Sequence, residues 1–171
     1  MRIILASKSG VRKKILNDFK IDCQVIASQV DEDEVKKSLL AEGADPLIIS
    51  KNLAEIKSIK VSSKNPDRLV IGADSVISLQ DQLINKPRSR DEAFSILKKL
   101  NNSVHYLISS VCISKNGAMI WNHSDSSELK MKNLTEEQLK DYLEKIDTNT
   151  LLAYGCLLYT SDAADDKQCV D

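Results

Sequence analysis

The stretch of residues 69–77 places one carboxylate, Asp74, inside a run of otherwise apolar or small residues. Short apolar runs that are rich in β-branched residues are typical of buried strands. A buried carboxylate costs free energy unless it is paired or bound to a metal. Gly72 has no side chain, so another backbone or a ligand can come close at that point. The pattern predicts a buried strand with a functional carboxylate, and an aspartate that caps a turn is the alternative.

Lys86 lies twelve positions after Asp74 and is followed directly by Pro87. A short strand is predicted just before it, at residues 82–85. A carboxylate at the end of a strand, close to a loop lysine, suits a site for a metal-bound phosphate. We therefore expect Asp74 to stand at a strand end with Lys86 nearby.

Composition limits the classes of protein that remain. The chain has 171 residues with a net charge of −1, so no basic surface for nucleic acid or an anionic membrane is indicated. The four cysteines form no C-x-x-C pair, which favours reduced thiols over structural zinc. No apolar run reaches the roughly 20 residues of a membrane span, and the N-terminus does not have the pattern of a signal peptide. A cytoplasmic protein of one domain, or of two small lobes that share a core, is expected.

The N-terminal region predicts a strand at residues 2–6, a Ser-rich turn and a helix at residues 11–19. Ser9 is a good N-cap for this helix. The N–H groups at such a helix start bind phosphate well, and Arg12 lies in the first turn. The two lysines after Arg12 are expected on a solvated face, whereas Arg12 itself can point either way.

Further elements follow from spacing and capping residues. Helices are predicted after the acidic run 31–34, after Asp45-Pro46, after the capping box at Ser89, and after a second capping box at Thr135. Strands are predicted at residues 21–27, 104–114, 119–123 and 127–131, with an Asn-Gly hairpin turn at 116–117.

Two charged features of these helices leave alternatives open. The acidic run 31–34 is either a solvated helix cap or the source of a metal ligand or water-activating base. Lys57 lies beside the apolar stripe of its helix, so it either extends its ammonium group to solvent or points into a site.

His105 and His123 lie on predicted strands and have no metal-ligand partner at a recognisable spacing, so both are interpreted as structural.

In their order and spacing these motifs resemble the Maf family of cytoplasmic nucleoside triphosphate pyrophosphatases, once described as septum-formation inhibitors. The resemblance covers residues 1–155, which we treat as one Maf-like domain that is incomplete at its C-terminus. It rests on Leu5-Ala6-Ser7-Lys8-Ser9 with Arg12, Asp31-Glu32, Leu53-Ala54 with Lys57-Ser58, Gly72-Ala73-Asp74-Ser75-Val76, Lys86-Pro87, Glu92-Ala93, and residues 97–100 followed by His105. It implies an α/β fold in which a mixed twisted β-sheet is flanked by helices and two lobes surround a cleft.

The resemblance also implies an activity and a role for individual residues. The reaction is hydrolysis of a nucleoside triphosphate to the monophosphate and pyrophosphate, with Mg²⁺ or Mn²⁺ as cofactor. Asp74 matches the catalytic carboxylate, and Glu32 matches a carboxylate that holds the metal together with Asp74 or activates water. The phosphate-binding positions are Ser9, Arg12, Lys57 and Lys86, and the specificity positions are Val11 and Ser75.

The sequence departs from the family pattern at the first motif. The family's S-P-R-R is Ser9-Gly10-Val11-Arg12 here, so the arginine linked to preference for dTTP and UTP is Val11. The residue after the catalytic aspartate, often threonine, is Ser75. Val11 suits a larger or methylated base, such as that of 7-methyl-GTP, but the base stays open.

The C-terminal end departs further. Residues 156–171 do not match the family and resemble translated sequencing-adapter tails. The expectation is that the natural C-terminus, with a core strand, is missing and that this tail is foreign.

Two other functions compete with the enzyme. One is a regulator of cell division that binds nucleotide without turnover, and the other is an α/β domain whose charged residues only cover its surface. The joint presence of two carboxylates and two lysines at family positions favours the enzyme. The expected partner is a nucleoside triphosphate, with no nucleic acid and no membrane, and a homodimer is left open.

Overall fold

A computed structural model describes the backbone of residues 3–154 and the side chains of residues 3–151. The strands are β1 (Ile3–Leu5), β2 (Cys23–Val25), β3 (Val70–Leu79), β4 (Gln82–Ile84), β5 (Val104–Lys115) and β6 (Ala118–Lys130). The helices are α1 (Gly10–Asp18), α2 (Glu32–Ala41), α3 (Pro46–Ser62), α4 (Arg90–Leu100), α5 (Glu136–Glu144) and α6 (Thr148–Tyr154). The tail predicted to be foreign, residues 156–171, lies outside the described residues.

The strands form one mixed sheet in the order β2-β1-β3-β5-β6, with β4 paired to β3. Strand β1 is parallel to both β2 and β3, whereas β3 and β4 are antiparallel. The predicted α/β class with a mixed sheet and flanking helices is confirmed. The described chain divides into two compact units, one with residues 3–76 and Ile108–Ser126, the other with Ile77–Leu107 and residues 127–154.

In the first unit, helix α3 packs directly against strand β3 at Gly72. A Cβ atom at this position would lie 2.2 Å from the carbonyl oxygen of Ala54 and 2.7 Å from the backbone nitrogen of Ser58. The expected close approach at Gly72 is therefore confirmed, and the approaching group is the backbone of α3. Since α3 carries Lys57 and β3 carries Asp74, this contact places the two side chains in the same region.

Helix starts follow their predicted capping residues. The side chains of Ser9 and Asp45 accept hydrogen bonds from the backbone of the first helical turn of α1 and α3. Thr135 forms the complete reciprocal capping box at α5. At α4 only half of the predicted box exists, because Glu92 Oε2 accepts from the backbone of Arg88, at 2.7 Å, instead of from the N-cap residue.

The second unit has its own apolar core, built mainly by α4, α5 and α6. Its largest fully buried side chains are Leu97, Leu100, Met131, Leu139 and Leu151. Arg90 ties α4 to the end of α5, since its guanidinium donates to the carbonyl oxygens of Leu143 and Ile146 at 2.7 Å each. Helix α6 was not predicted, although Asp147 caps its start by accepting from the backbone of Thr150 at 3.0 Å.

One prediction about the continuity of a strand was wrong. Residues 118–130 form one strand, β6, where two were expected, because a polar edge strand keeps its backbone pairing without an apolar face. Helix α1 forms as predicted, but its apolar residues are not buried, and the Phe19 that follows it is 76% exposed. The helical spacing of apolar residues identifies the helix, but it does not show whether another element packs on its apolar face. Within the described residues, no helix is both long and apolar enough to cross a membrane.

Candidate active site

Lys57 brings two carboxylates together inside the first unit. Its Nζ atom lies 2.7 Å from Oδ1 of Asp74 and 2.7 Å from Oε1 of Glu32. The side chains of Lys57 and Asp74 are 6% and 7% exposed, whereas that of Glu32 is 39% exposed. Lys57 therefore points into a site instead of extending to solvent. The burial of this pair also excludes the interpretation that these charges only cover the surface.

Asp74 lies in the middle of β3, which corrects the expectation that it stands at a strand end. The strand continues to Leu79 because residues 77–79 pair with strand β4. The alternative of an aspartate that caps a turn is wrong for the same reason. The backbone oxygen of Asp74 accepts a hydrogen bond from Ser50 Oγ of α3 at 3.3 Å, so helix and strand are tied together at this residue.

The burial of Asp74 changes its acid–base properties. Loss of water around the carboxyl raises its pKa above the ordinary value of 3.8, and this outweighs the opposing influence of Lys57. The charge of Glu32 also raises the pKa of Asp74, and that of Arg12 lowers it. Oδ1 accepts from Lys57, while Oδ2 is buried with no hydrogen-bond partner among the described residues. One carboxylate oxygen is thus held in place, and the other is available for water, substrate or metal.

Helix α2 supplies the second carboxylate through its first residue, Glu32. The preceding Asp31 is the N-cap and accepts from the backbone of Glu34 at 3.0 Å. Asp33 and Glu34 are exposed. The acidic run therefore caps the helix, as the first alternative expected, and it also directs the Glu32 carboxylate to Lys57. The role of Glu32 as a metal ligand or water-activating base stays a prediction.

Arg12, in the first turn of α1, contributes the second cation near the carboxylates. Its Nη1 donates to Ser7 Oγ at 3.2 Å, and its Nη2 donates to Ser75 Oγ at 3.4 Å. Burial lowers the pKa of Arg12 while Asp74 and Glu32 raise it, and an arginine remains charged under all ordinary conditions. Ser9 accepts from the Arg12 backbone at 3.4 Å and so starts the helix that presents this guanidinium.

Other predicted site residues have different surroundings. Val11 is half-buried in α1, and Ser75 is exposed next to Asp74 on β3. Lys13 and Lys14 are exposed, as the solvated-face interpretation expected. Lys86 is exposed in the second unit, between β4 and the buried Pro87, and its predicted phosphate contact stays a prediction.

Sequence reasoning missed three serines around the cluster, Ser7, Ser50 and Ser109. Ser7 stands within the first motif, and its place directly after a buried strand was the available signal. Ser50 and Ser109 contact Asp74 and Ser75 only through the packing of α3 on β3 and the pairing of β3 with β5. No local pattern in the sequence marks either residue.

The donor set fits a hard divalent cation. Asp74 and Glu32 supply carboxylate oxygens, and the buried Oδ2 of Asp74 has no partner among the described residues. No group of three or more His, Cys, Asp or Glu residues suited to a metal occurs in the described part of the chain. Mg²⁺ is commonly held by one or two carboxylates plus waters and substrate phosphates, so two carboxylates are sufficient.

Fold and site together define an α/β protein in which a buried lysine of a helix packed on the sheet lies between two carboxylates, beside an arginine at a helix start. The sequence pattern of the family described as Maf-like protein matches residues 2–157. The chain belongs to the Maf family.

Individual relatives agree with this membership. The nucleoside triphosphate pyrophosphatase of Pelagibacter ubique (strain HTCC1062) is 57% identical over 153 residues, which are 90% of this chain and 78% of that protein. The 7-methyl-GTP pyrophosphatase of Brucella abortus biovar 1 (strain 9-941) is 32% identical, over 91% of this chain and 78% of that protein. The solved structure of the Staphylococcus aureus Ham1 protein aligns with a TM-score of 0.44 and 18% identity, over 77% of this chain and 72% of that one.

Proposed function

We propose that the protein hydrolyses nucleoside triphosphates to the monophosphate and pyrophosphate and so removes unwanted nucleotides from the cell's pool. The observation that carries this proposal is the buried Lys57, whose Nζ lies 2.7 Å from a carboxylate oxygen of both Asp74 and Glu32. Relatives that are 57% and 32% identical bear the names of pyrophosphatases acting on nucleoside triphosphates and on 7-methyl-GTP. A cytoplasmic location, where nucleotides are made and used, belongs to the same proposal.

Cations of this chain would bind the triphosphate. Arg12 presents a planar guanidinium that can donate to two phosphate oxygens at once, and Lys57 acts as a point charge. Free N–H groups at the start of α1, behind Ser9, suit an anion as well. Lys86 would add a further cation from its loop. These groups neutralise the negative charge that otherwise repels an attacking water molecule.

Asp74 would act as the general base. Its Oδ2 has no partner among the described residues, and burial raises its pKa toward the range in which a carboxylate removes a proton from water efficiently. The water oxygen attacks the α-phosphorus, the bond to the bridging oxygen breaks, and pyrophosphate leaves. The water proton moves to Oδ2 of Asp74. Lys57 holds Oδ1 and thereby fixes the direction of the carboxylate.

Glu32 has two roles that are compatible with its position. It would hold a divalent cation together with Asp74, or it would help to activate the water molecule. When bound, Mg²⁺ or Mn²⁺ supplies positive charge that polarises the phosphate oxygens. The exposure of Glu32 suits either role, because solvent and substrate can reach a side chain that is 39% exposed.

Val11 and Ser75 are the positions proposed to influence the choice of base. Ser75 accepts a hydrogen bond from the Arg12 guanidinium, and Val11 precedes Arg12 in the first turn of α1. An apolar Val11 cannot donate hydrogen bonds to a pyrimidine, which reduces the case for dTTP and UTP.

Pyrophosphate release tests the proposal. The purified chain is assayed with Mg²⁺ on the four ribonucleotides, the four deoxyribonucleotides and 7-methyl-GTP, beside an Asp74→Asn variant. Glu34→Gln serves as a control for a charge change in the same helix turn as Glu32, away from Lys57. We expect release from at least one triphosphate by wild type and Glu34→Gln and none by Asp74→Asn. A folded wild-type chain that releases nothing from any substrate contradicts the proposal.

A further inference from the structure

Two serine hydroxyls on neighbouring strands connect the sheet to Arg12. Ser75 on β3 accepts from Arg12 Nη2 at 3.4 Å, and its Oγ lies 3.0 Å from the Oγ of Ser109 on β5. Strands β3 and β5 are adjacent in the sheet, so the two serines form a cross-strand pair. On the other side of the guanidinium, Nη1 donates to Ser7 Oγ at 3.2 Å. Arg12 is therefore held by Ser75 of β3 and by Ser7 of the turn between β1 and α1, and the first of these anchors is itself held by Ser109.

The hydrogen-bonding capacity of each group determines which of these groups donates and which accepts. A guanidinium only donates, so Ser75 must accept from Arg12 with one of its lone pairs. The Ser75 proton can then be donated to Ser109, or Ser109 can donate to the second lone pair of Ser75. In either case the bond to Ser109 stops the free rotation of the Ser75 hydroxyl. It keeps a Ser75 lone pair directed at Arg12.

We propose that Ser109 is a positioning residue, which acts through Ser75 to hold the Arg12 guanidinium in place for the substrate phosphates. The inference deepens the proposed function and rests on it. Ser109 is half-buried, and the hydrogen bond of its side chain goes to Ser75 and not to Asp74, Glu32 or Lys57, so its effect on phosphate binding passes through Ser75 to Arg12. Because Ser7 remains as a second anchor, losing the Ser109 hydroxyl weakens the hold on Arg12 without releasing it.

The matched variants are Ser109→Thr and Ser109→Val. Threonine and valine have nearly the same shape, and both suit a β-strand, so they differ in the hydroxyl alone. We expect Ser109→Val to raise KM for the triphosphate by roughly 2- to 10-fold, as befits one hydrogen bond, with kcat changed much less. Ser109→Thr keeps a KM close to that of the wild type. Equal effects of the two variants on KM would overturn the inference.

A double-mutant cycle tests whether the effect passes through Arg12. In an Arg12→Ala background, Ser109→Val should add nothing to the rise in KM, because no guanidinium remains to be positioned. An undiminished effect in that background would also overturn the inference. Ser110→Ala is the control, since Ser110 forms a similar hydroxyl pair with Ser124, at 2.8 Å, without any bond to Arg12. Its KM should stay near the wild-type value.

Binding of a triphosphate analogue with a methylene group between the α- and β-phosphorus separates this inference from the proposed function. Calorimetry should give a Kd for Ser109→Val that is raised by the same roughly 2- to 10-fold, and an unchanged Kd for Ser109→Thr. A wild type that binds the analogue but hydrolyses no triphosphate would refute the proposed catalysis alone. A wild type that does not bind it at all would overturn the positioning role as well.

Discussion

The Nζ atom of Lys57, on helix α3, lies 2.7 Å from Oδ1 of Asp74, on strand β3, and both side chains are almost fully buried. A buried ion pair gains little net stability, because desolvation of both charges offsets their attraction. Its removal on one side only is nevertheless costly, since a buried charge is left without compensation. The pair is therefore better explained by what Asp74 does than by stability.

Replacing the cation tests this relationship. In Lys57→Met the Asp74 carboxylate loses its partner, so we expect the free energy of unfolding to fall by about 3–5 kcal/mol at neutral pH and the activity to be lost. Urea unfolding and pyrophosphate release measure the two effects. Lys51→Met is the matched control, because Lys51 is an exposed lysine of the same helix. A Lys57→Met protein as stable and active as this control would show that the pair has no such role.

The raised pKa of Asp74 predicts an acidic limb in the activity. Because burial raises the pKa above 3.8, the carboxylate gains its proton at a higher pH than an ordinary aspartate does. The general base is then lost as the pH falls through this raised value. A profile of kcat/KM against pH should therefore decline on the acid side above pH 3.8. Carboxyl ¹³C NMR, with Asp74→Asn to assign the resonance, should give a pKa in agreement, and a value at or below 3.8 would be inconsistent with the raised pKa.

The raised pKa of Asp74 also makes the free energy of unfolding depend on pH. The folded protein binds this proton more tightly than the unfolded chain does. The contribution of Asp74 to the free energy of unfolding is thus fully present below the unfolded pKa and is lost as the pH rises through the folded pKa. Over this acidic window, urea unfolding should show that the free energy of unfolding of the wild type declines as the pH rises. The free energy of unfolding of Asp74→Asn should show no such decline. The opposite slope would mean that pairing with Lys57 outweighs burial.

Gly72 controls how closely the lysine can approach the aspartate. In Gly72→Ala the new methyl group would lie 2.2 Å from the Ala54 carbonyl oxygen, so α3 must move away from β3. Overpacking of this kind typically costs about 1–3 kcal/mol. We expect that loss in the free energy of unfolding, together with reduced activity even in the fully folded protein at low temperature. Activity equal to wild type under those conditions would show that the site tolerates a wider separation.

Metal dependence addresses the role of Glu32. A chelator should abolish hydrolysis, and added Mg²⁺ should restore it. If Glu32 holds the metal, Glu32→Gln raises the Mg²⁺ concentration for half-maximal activity by about tenfold or more, since one charged ligand is lost. Glu34→Gln, in the same turn of α2, should leave it unchanged. A Glu32→Gln variant with lower activity but normal Mg²⁺ dependence would assign Glu32 to the water molecule instead.

Local features of this protein could be predicted from its sequence, whereas several long-range contacts could not. The caps at Ser9, Asp45 and Thr135 and the Asn-Gly turn depend on a few neighbouring residues, and these were predicted correctly. That Lys57 reaches Asp74 depends on the close packing at Gly72, for which the sequence offered only a glycine within an apolar strand. Three other features depend on tertiary neighbours, which the local periodicity of apolar residues does not encode. These are the exposure of Phe19, the continuity of β6 and the Ser75–Ser109 pair.

Hydrolysis in ¹⁸O-labelled water shows whether the Lys57–Asp74–Glu32 cluster directs water to the α-phosphorus. After a single turnover of the best triphosphate, mass spectrometry locates the label in the products. We expect one ¹⁸O atom in the nucleoside monophosphate and none in pyrophosphate, and no labelled product with Asp74→Asn. Label in pyrophosphate, release of single phosphate ions, or unchanged turnover by Asp74→Asn would contradict it.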